Sequence, residues 1–174
     1  MFRLIVLLLL LSACGFEVLY KDHQNSESIA YQLASIRIQK KRNKFDWQLQ
    51  NNLYELFNPD KISSPEKYLL IVDTDQSISS TYITSTGASG RNKITITANY
   101  VLKNLNTNQQ IASGNVVASD NYDVSANRFA TFVSEDYFKS NVLKIIANDI
   151  RNSVVNDFFY NKKMCQDQNF NCPL

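Results

Sequence analysis

Lys93-Ile-Thr-Ile-Thr-Ala-Asn-Tyr-Val-Leu-Lys103 alternates with a period of two. Ile94, Ile96, Ala98, Tyr100 and Leu102 fall on one side; Lys93, Thr95, Thr97, Asn99 and Lys103 fall on the other. Successive side chains of a strand point to opposite faces, so this stretch predicts a strand with one face on a core and one on solvent. On its C-terminal side Asn104–Asn108 reads as a turn. A further strand is predicted from about Gln110 to Tyr122, with Gly114 marking a bulge. Upstream, Gly87 and Gly90 make 85–92 a loop. The strand before it starts at Tyr68–Val72 and continues through Asp73, Asp75 and Ser77.

Helices flank this block. Phe45, Leu49, Leu53 and Leu56 recur at spacings of 4, 4 and 3, one face of a helix. Asn43 is placed to cap it, and Asn58-Pro59 stops it, since the residue before proline disfavours helical geometry. Trp47 and Tyr54 lie at the edge of the apolar face. Leu33–Gln39 reads as an earlier strand, with 15–30 as a linker. A long helix is predicted from Asn127 to Phe158, about 45 Å at 1.5 Å per residue. Its stripe is Leu143, Ala147, Ile150, Val154 and Phe158, extended backwards by Phe129, by Phe132 or Val133, and by Tyr137. The order β-α-β-β-β-α implies an α+β two-layer sandwich: a four-stranded sheet with two helices on one face.

The N-terminus supplies an address. Arg3 precedes an apolar run from Leu4 to Leu11, far shorter than the ~20 residues of a membrane-spanning helix, and Leu11-Ser12-Ala13 leads directly into Cys14. This order looks like a lipobox, which implies cleavage before Cys14 and lipidation of it. The competing reading is an ordinary signal peptide with an incidental cysteine. The expected organisation is a signal peptide over 1–13, a lipidated N-terminus and linker over 14–30, the α+β domain over 31–160 and a tail over 161–174. Stable anchoring takes two or more acyl chains. By resemblance to bacterial lipoproteins, Gly15 in place of the Asp associated with inner-membrane retention points to the periplasmic face of the outer membrane.

Cleavage leaves 174 − 13 = 161 residues, enough for one domain with its own core. Loss of Arg3 takes the side-chain charge to 17 − 16 = +1, and Lys40-Lys41-Arg42 is the only basic run, so no nucleic-acid partner is expected. With Cys14 lipidated, Cys165 and Cys172 remain in an oxidising compartment and are expected to form a disulfide. A metal site on two isolated thiols would lack further ligands.

Catalytic groups are scarce. The single histidine, His23, lies in the expected linker, and neither a phosphate-binding glycine loop nor a nucleophile elbow is present. Asp73 and Asp75 share a strand face; they read as solvated carboxylates, with a cation site or paired-carboxylate hydrolase as the rival. Glu135-Asp136 near the start of the long helix is explained by its dipole. The chain therefore reads as a binding or assembly protein, not an enzyme, with no cofactor and no metal.

Cys14-Gly15-Phe16 with Leu19-Tyr20, Gly90-Arg91 leading into 93–102, Asn127-Arg128-Phe129-Ala130-Thr131, and Asn148-Asp149-Ile150-Arg151 together resemble the LptE family of lipopolysaccharide-assembly lipoproteins. The resemblance covers nearly the whole mature chain. It implies a protein that sits in the lumen of an LptD-type outer-membrane β-barrel, assists its folding, plugs it, and binds lipopolysaccharide in transit. It also implies that Arg91, with Lys93 beside it, contacts lipopolysaccharide, whose phosphates and carboxylates suit a bidentate guanidinium. Where the family carries a second basic contact near the start of the last helix, this chain has Phe132 and Val133, and Arg128 is the nearest substitute. The polar face of Thr95, Thr97 and Asn99 suits a polar barrel lumen. The alternative function is a free-standing periplasmic lipid-binding or sensing lipoprotein, which requires an apolar cavity.

Overall fold

The computed structural model of the protein describes residues 29–41, 44–83, 85, 87 and 89–168. Elements run α1 (Ile29–Ala34), β1 (Ile36–Ile38), α2 (Lys44–Phe57), β2 (Tyr68–Ile83), β3 (Ser89–Asn104), β4 (Gln110–Asp123) and α3 (Arg128–Gln168). Strand order in the sheet is β1-β2-β3-β4, with β1 parallel to β2 and the other pairs antiparallel. The parallel pair requires α2 as its crossover. Both long helices pack on one face, making the expected α+β two-layer sandwich.

The alternation in β3 becomes the core. Ile94, Ile96, Ala98, Tyr100 and Leu102 are buried, and they meet Val142, Leu143, Ile146, Ala147, Ile150 and Val154 of α3 in one cluster. From α2, Leu49, Leu53 and Phe57 are buried at a spacing of four, with Phe45 and Leu56 half-buried. The Asn58 side chain clamps the stop after α2: its Nδ2 donates to Ile62 O at 2.9 Å and its Oδ1 accepts from Ile62 N at 2.7 Å. Asn104 Oδ1 organises the predicted turn by accepting from Asn106 N and Thr107 N.

The structure departs from the sequence reading in four places. Leu33, expected in a strand, is a buried residue of α1, and the strand shrinks to Ile36–Ile38. Helix α1 closes on Ser35, whose amide donates to Tyr31 O and Gln32 O and whose hydroxyl donates to Gln32 O. Gly114 is not a bulge. It pairs in register with Tyr100, and a Cβ there would lie 2.7–2.9 Å from the tyrosine's hydroxyl and ring, so the glycine makes room for that ring. Helix α3 runs on to Gln168, about 60 Å.

The fourth departure is the backward extension of the α3 stripe. Phe129, Phe132, Val133 and Tyr137 are each at least half exposed. Phe129, Val133 and Tyr137 lie on the side where Gln48 Nε2 donates to Ser140 Oγ at 2.9 Å and Arg151 Nε donates to Leu56 O at 3.1 Å, the side toward α2, whereas Phe132 stands five turns before Ile150 on the same line of the helix. Helix α2 runs parallel to α3 with Gln48 level with Ser140 and begins one turn earlier at Lys44, so the first turns of α3 extend past its start. Glu135 faces the sheet instead, its carboxylate accepting from the Tyr122 hydroxyl at 3.1 Å.

Two outcomes follow. Ile146→Ala should destabilise by about 2–5 kcal/mol in urea denaturation, the usual range for a large-to-small change in a closed core, while Phe132→Ser should change stability by less than about 0.5 kcal/mol. Burial pushes the Asp157 carboxyl above its ordinary value. The folded state then holds its proton more tightly than the unfolded chain, so this group's stabilising contribution is present in acid and lost as pH rises through the raised value. Asp157→Asn should raise the melting temperature at pH 7 and leave it unchanged at pH 3.

Candidate functional site

Strands β2, β3 and β4 outrun α2, and their far ends form a tip beyond the core. Register shifts flanking Tyr82 set it opposite Arg91, and Thr81 Oγ1 donates to Arg91 O at 3.2 Å. Extra residues of this kind bend a strand and re-aim its side chains. On the other side Arg91 faces Asp123 of β4. Val124 N donates to Gly90 O, which makes Arg91–Asp123 a non-hydrogen-bonded pair, the closer-spaced kind. Arg91 Nε donates to Asp123 Oδ1 at 2.7 Å, with both side chains more than half exposed. The hydrogen bond and charge of Asp123 hold the guanidinium pKa above its ordinary value. Thr81, Tyr82, Gly90, Arg91, Asn121 and Asp123 line an open cleft of about 550 Å³.

Arg91 is thus a cation that already has a counterion. An incoming phosphate must share the guanidinium with Asp123 or displace it, and solvent screening leaves that exchange open. Lys93 stands two residues further along the same face of β3, half-buried between its register partners Ser79 and Asn121. Arg128 is the exposed first residue of α3. Its helix is capped by Asn127, whose Oδ1 accepts from Phe129 N at 3.0 Å, and the approach is tied by Ser125 N donating to Thr131 Oγ1 at 2.9 Å. All three predicted basic residues therefore lie at one end of the molecule. Sequence reasoning missed Asp123, Tyr82 and the exposed aromatic face of α3 beside them.

The other candidates do not converge. Asp73 and Asp75 are exposed on the sheet face away from the helices, and Asp73 accepts from Lys41 Nζ at 2.6 Å. Among the described residues no cluster of three or more His, Cys, Asp or Glu is arranged to hold a metal. Cys14, His23 and Cys172 lie outside the described residues, as does the side chain of Cys165 in the last turn of α3, so the disulfide reading falls there too. Two recesses beside α2, of about 10 and 30 Å³, are too small for an acyl chain. Among the described residues no helix is long and apolar enough to cross a membrane.

No family model matches the chain, and no curated protein matches it in sequence. Its fold recurs in solved structures. One described as a lipoprotein of Caulobacter crescentus CB15 superposes with a TM-score of 0.65 at 13% identity, covering 77% of this chain and 98% of that one. The rare lipoprotein B of Shewanella oneidensis gives 0.53 at 10% identity, covering 70% and 92%, and a minor lipoprotein of Acinetobacter baumannii gives 0.51 at 15%, covering 70% and 89%. At these identities the likeness is one of fold: the α+β sandwich described above is shared with these three solved structures.

Proposed function

We propose that the chain is an LptE-type lipopolysaccharide-assembly lipoprotein of the outer membrane, anchored through Cys14 on the periplasmic side. In this reading it docks in the lumen of an LptD-type β-barrel as plug and assembly factor and binds lipopolysaccharide at the tip. The observation that carries it is the conjunction of a lipobox with a domain whose fold is that of lipoprotein structures. Geometry adds two supports. The sheet face turned from the helices presents Asp73, Asp75, Thr95, Thr97, Asn99 and Asn115, a polar surface suited to a polar lumen. Arg91, Lys93 and Arg128 share one end, so a headgroup bearing several phosphates meets all three cations from one side.

Asp123 sets the strength of that contact. Arg91→Glu should weaken lipopolysaccharide binding about tenfold, the effect of roughly 1.4 kcal/mol, while leaving the melting temperature nearly unchanged. Asp123→Asn removes the competing carboxylate charge and should tighten binding. Equal affinity in both variants would remove Arg91 from the contact. The docking half is tested by purifying the lipidated protein from outer membranes in mild detergent: a heat-modifiable barrel should co-elute, and its absence would contradict the assignment.

A further inference from the structure

Among the described residues strand β4 ends the sheet, and its outer edge is built for pairing. Since Val124 N bonds Gly90 O and the β3–β4 register runs unbroken from Arg91↔Asp123 to Leu102↔Ala112, the even-numbered residues of β4 spend their main-chain groups on β3. The odd-numbered ones, Ser113, Asn115, Val117 and Ser119, point theirs outward; Asn121 N alone is occupied locally, by Asp120 Oδ1 at 2.8 Å. Sheet edges are normally blunted by lysine, proline, bulges or inward charge. β4 contains no Lys, Arg or Pro, and its first charge is Asp120. The free part of the β2 edge, by contrast, carries Asp73 and Asp75, with Lys41 over Asp73.

Exposed apolar side chains flank the β4 edge at a single level. Val117 is exposed on the face turned from the helices, and Ile145 is exposed on α3. Ile145 lies roughly 120–140° round the helix from Ser140 and Arg151, which mark the α2 side, and so faces the β4 side of the sheet. The two are level because α3 runs back along β4 from the Tyr122–Glu135 contact. From there Ile145 is about 15 Å along the helix and Val117 about 17 Å along the strand.

We infer that two copies of this chain pair antiparallel through β4, with the twofold axis at Val117, extending the sheet continuously from one copy to the other. Val117 then meets Val117, Asn115 meets Ser119, and each such pair exchanges two main-chain hydrogen bonds. Ile145 meets Ile145 above the sheet. The acidic end of each strand falls against neutral residues of its mate, Asp120 opposite Gly114 and Asp123 opposite Ile111, so no like charges oppose. Helix α3 packs chiefly on β4 and to a lesser extent on β3, so the α3 helices of the two copies come next to each other above the seam. The inference goes beyond the barrel reading and does not depend on it.

Sedimentation equilibrium of the chain carrying Cys14→Ala, over a wide concentration range, should resolve a monomer–dimer equilibrium. Amide exchange at Asn115, Val117 and Ser119 should slow only as dimer forms. Val117→Pro deletes one outward N–H and no bond to β3, and Val117→Lys sets like charges face to face; each should abolish the dimer at near-normal melting temperature, and Val117→Thr should retain it. A chain monomeric at every concentration would overturn the proposal. So would a dimer that survives Val117→Lys, or one that forms without slowing those three amides, since another surface would then be responsible.

Discussion

The fold depends on one seam, the contact of the inner face of β3 with α3. β3 is the strand paired over most of its length on both sides, and its alternating residues Ile94 to Leu102 are closed off from water by Val142 to Val154. Each fully buried aliphatic side chain in that seam is worth roughly 1.5–3 kcal/mol before chain entropy is subtracted. The remaining elements are placed by reference to it. β2 and β4 flank β3, α2 lies beside α3, and the three-residue β1 is held on β2 by the crossover.

The seam is shorter than the strands that make it. With α2 only 14 residues long, the far ends of β2–β4 and the first turns of α3 project beyond the double-helix layer. That projection is where the cations and the exposed aromatic side chains collect. A tip lacking core contacts contributes little to folding and is free to carry a binding surface. The barrel-plug reading uses this division: a closed core for stability, a polar sheet face and a charged tip for partners.

Much of the fold was legible in the sequence because period-two and period-3.6 patterns report local geometry directly. β3, the Asn104–Asn108 turn and the stop at Asn58-Pro59 are of this kind. Periodicity does not say what covers a face. Phe129, Val133 and Tyr137 form a sound helical stripe, yet it points past the end of α2, because helix length and position are tertiary facts. Likewise Ile29–Ala34 is helical although its composition shows no strong pattern; packing against α2 and α3 decides it. The Arg91–Asp123 pair had a partial signal. The register at Lys103↔Gln110, carried on unbroken, would set Arg91 opposite Tyr122, and the irregularity between Leu102 and Lys103 carries it to Asp123. One slipped residue changes the chemistry of the cleft.

Native-state hydrogen exchange in low denaturant tests most directly whether the molecule divides into core seam and tip. The account predicts that amides of Ile96, Ala98, Tyr100 and Leu102 exchange only through global unfolding, with a strong denaturant dependence. Those of Thr81 to Ile83 and of Phe129 to Val133 should exchange through small local openings that hardly depend on denaturant. Equal protection and equal denaturant dependence at both ends would contradict it, since the tip would then be part of the cooperative core.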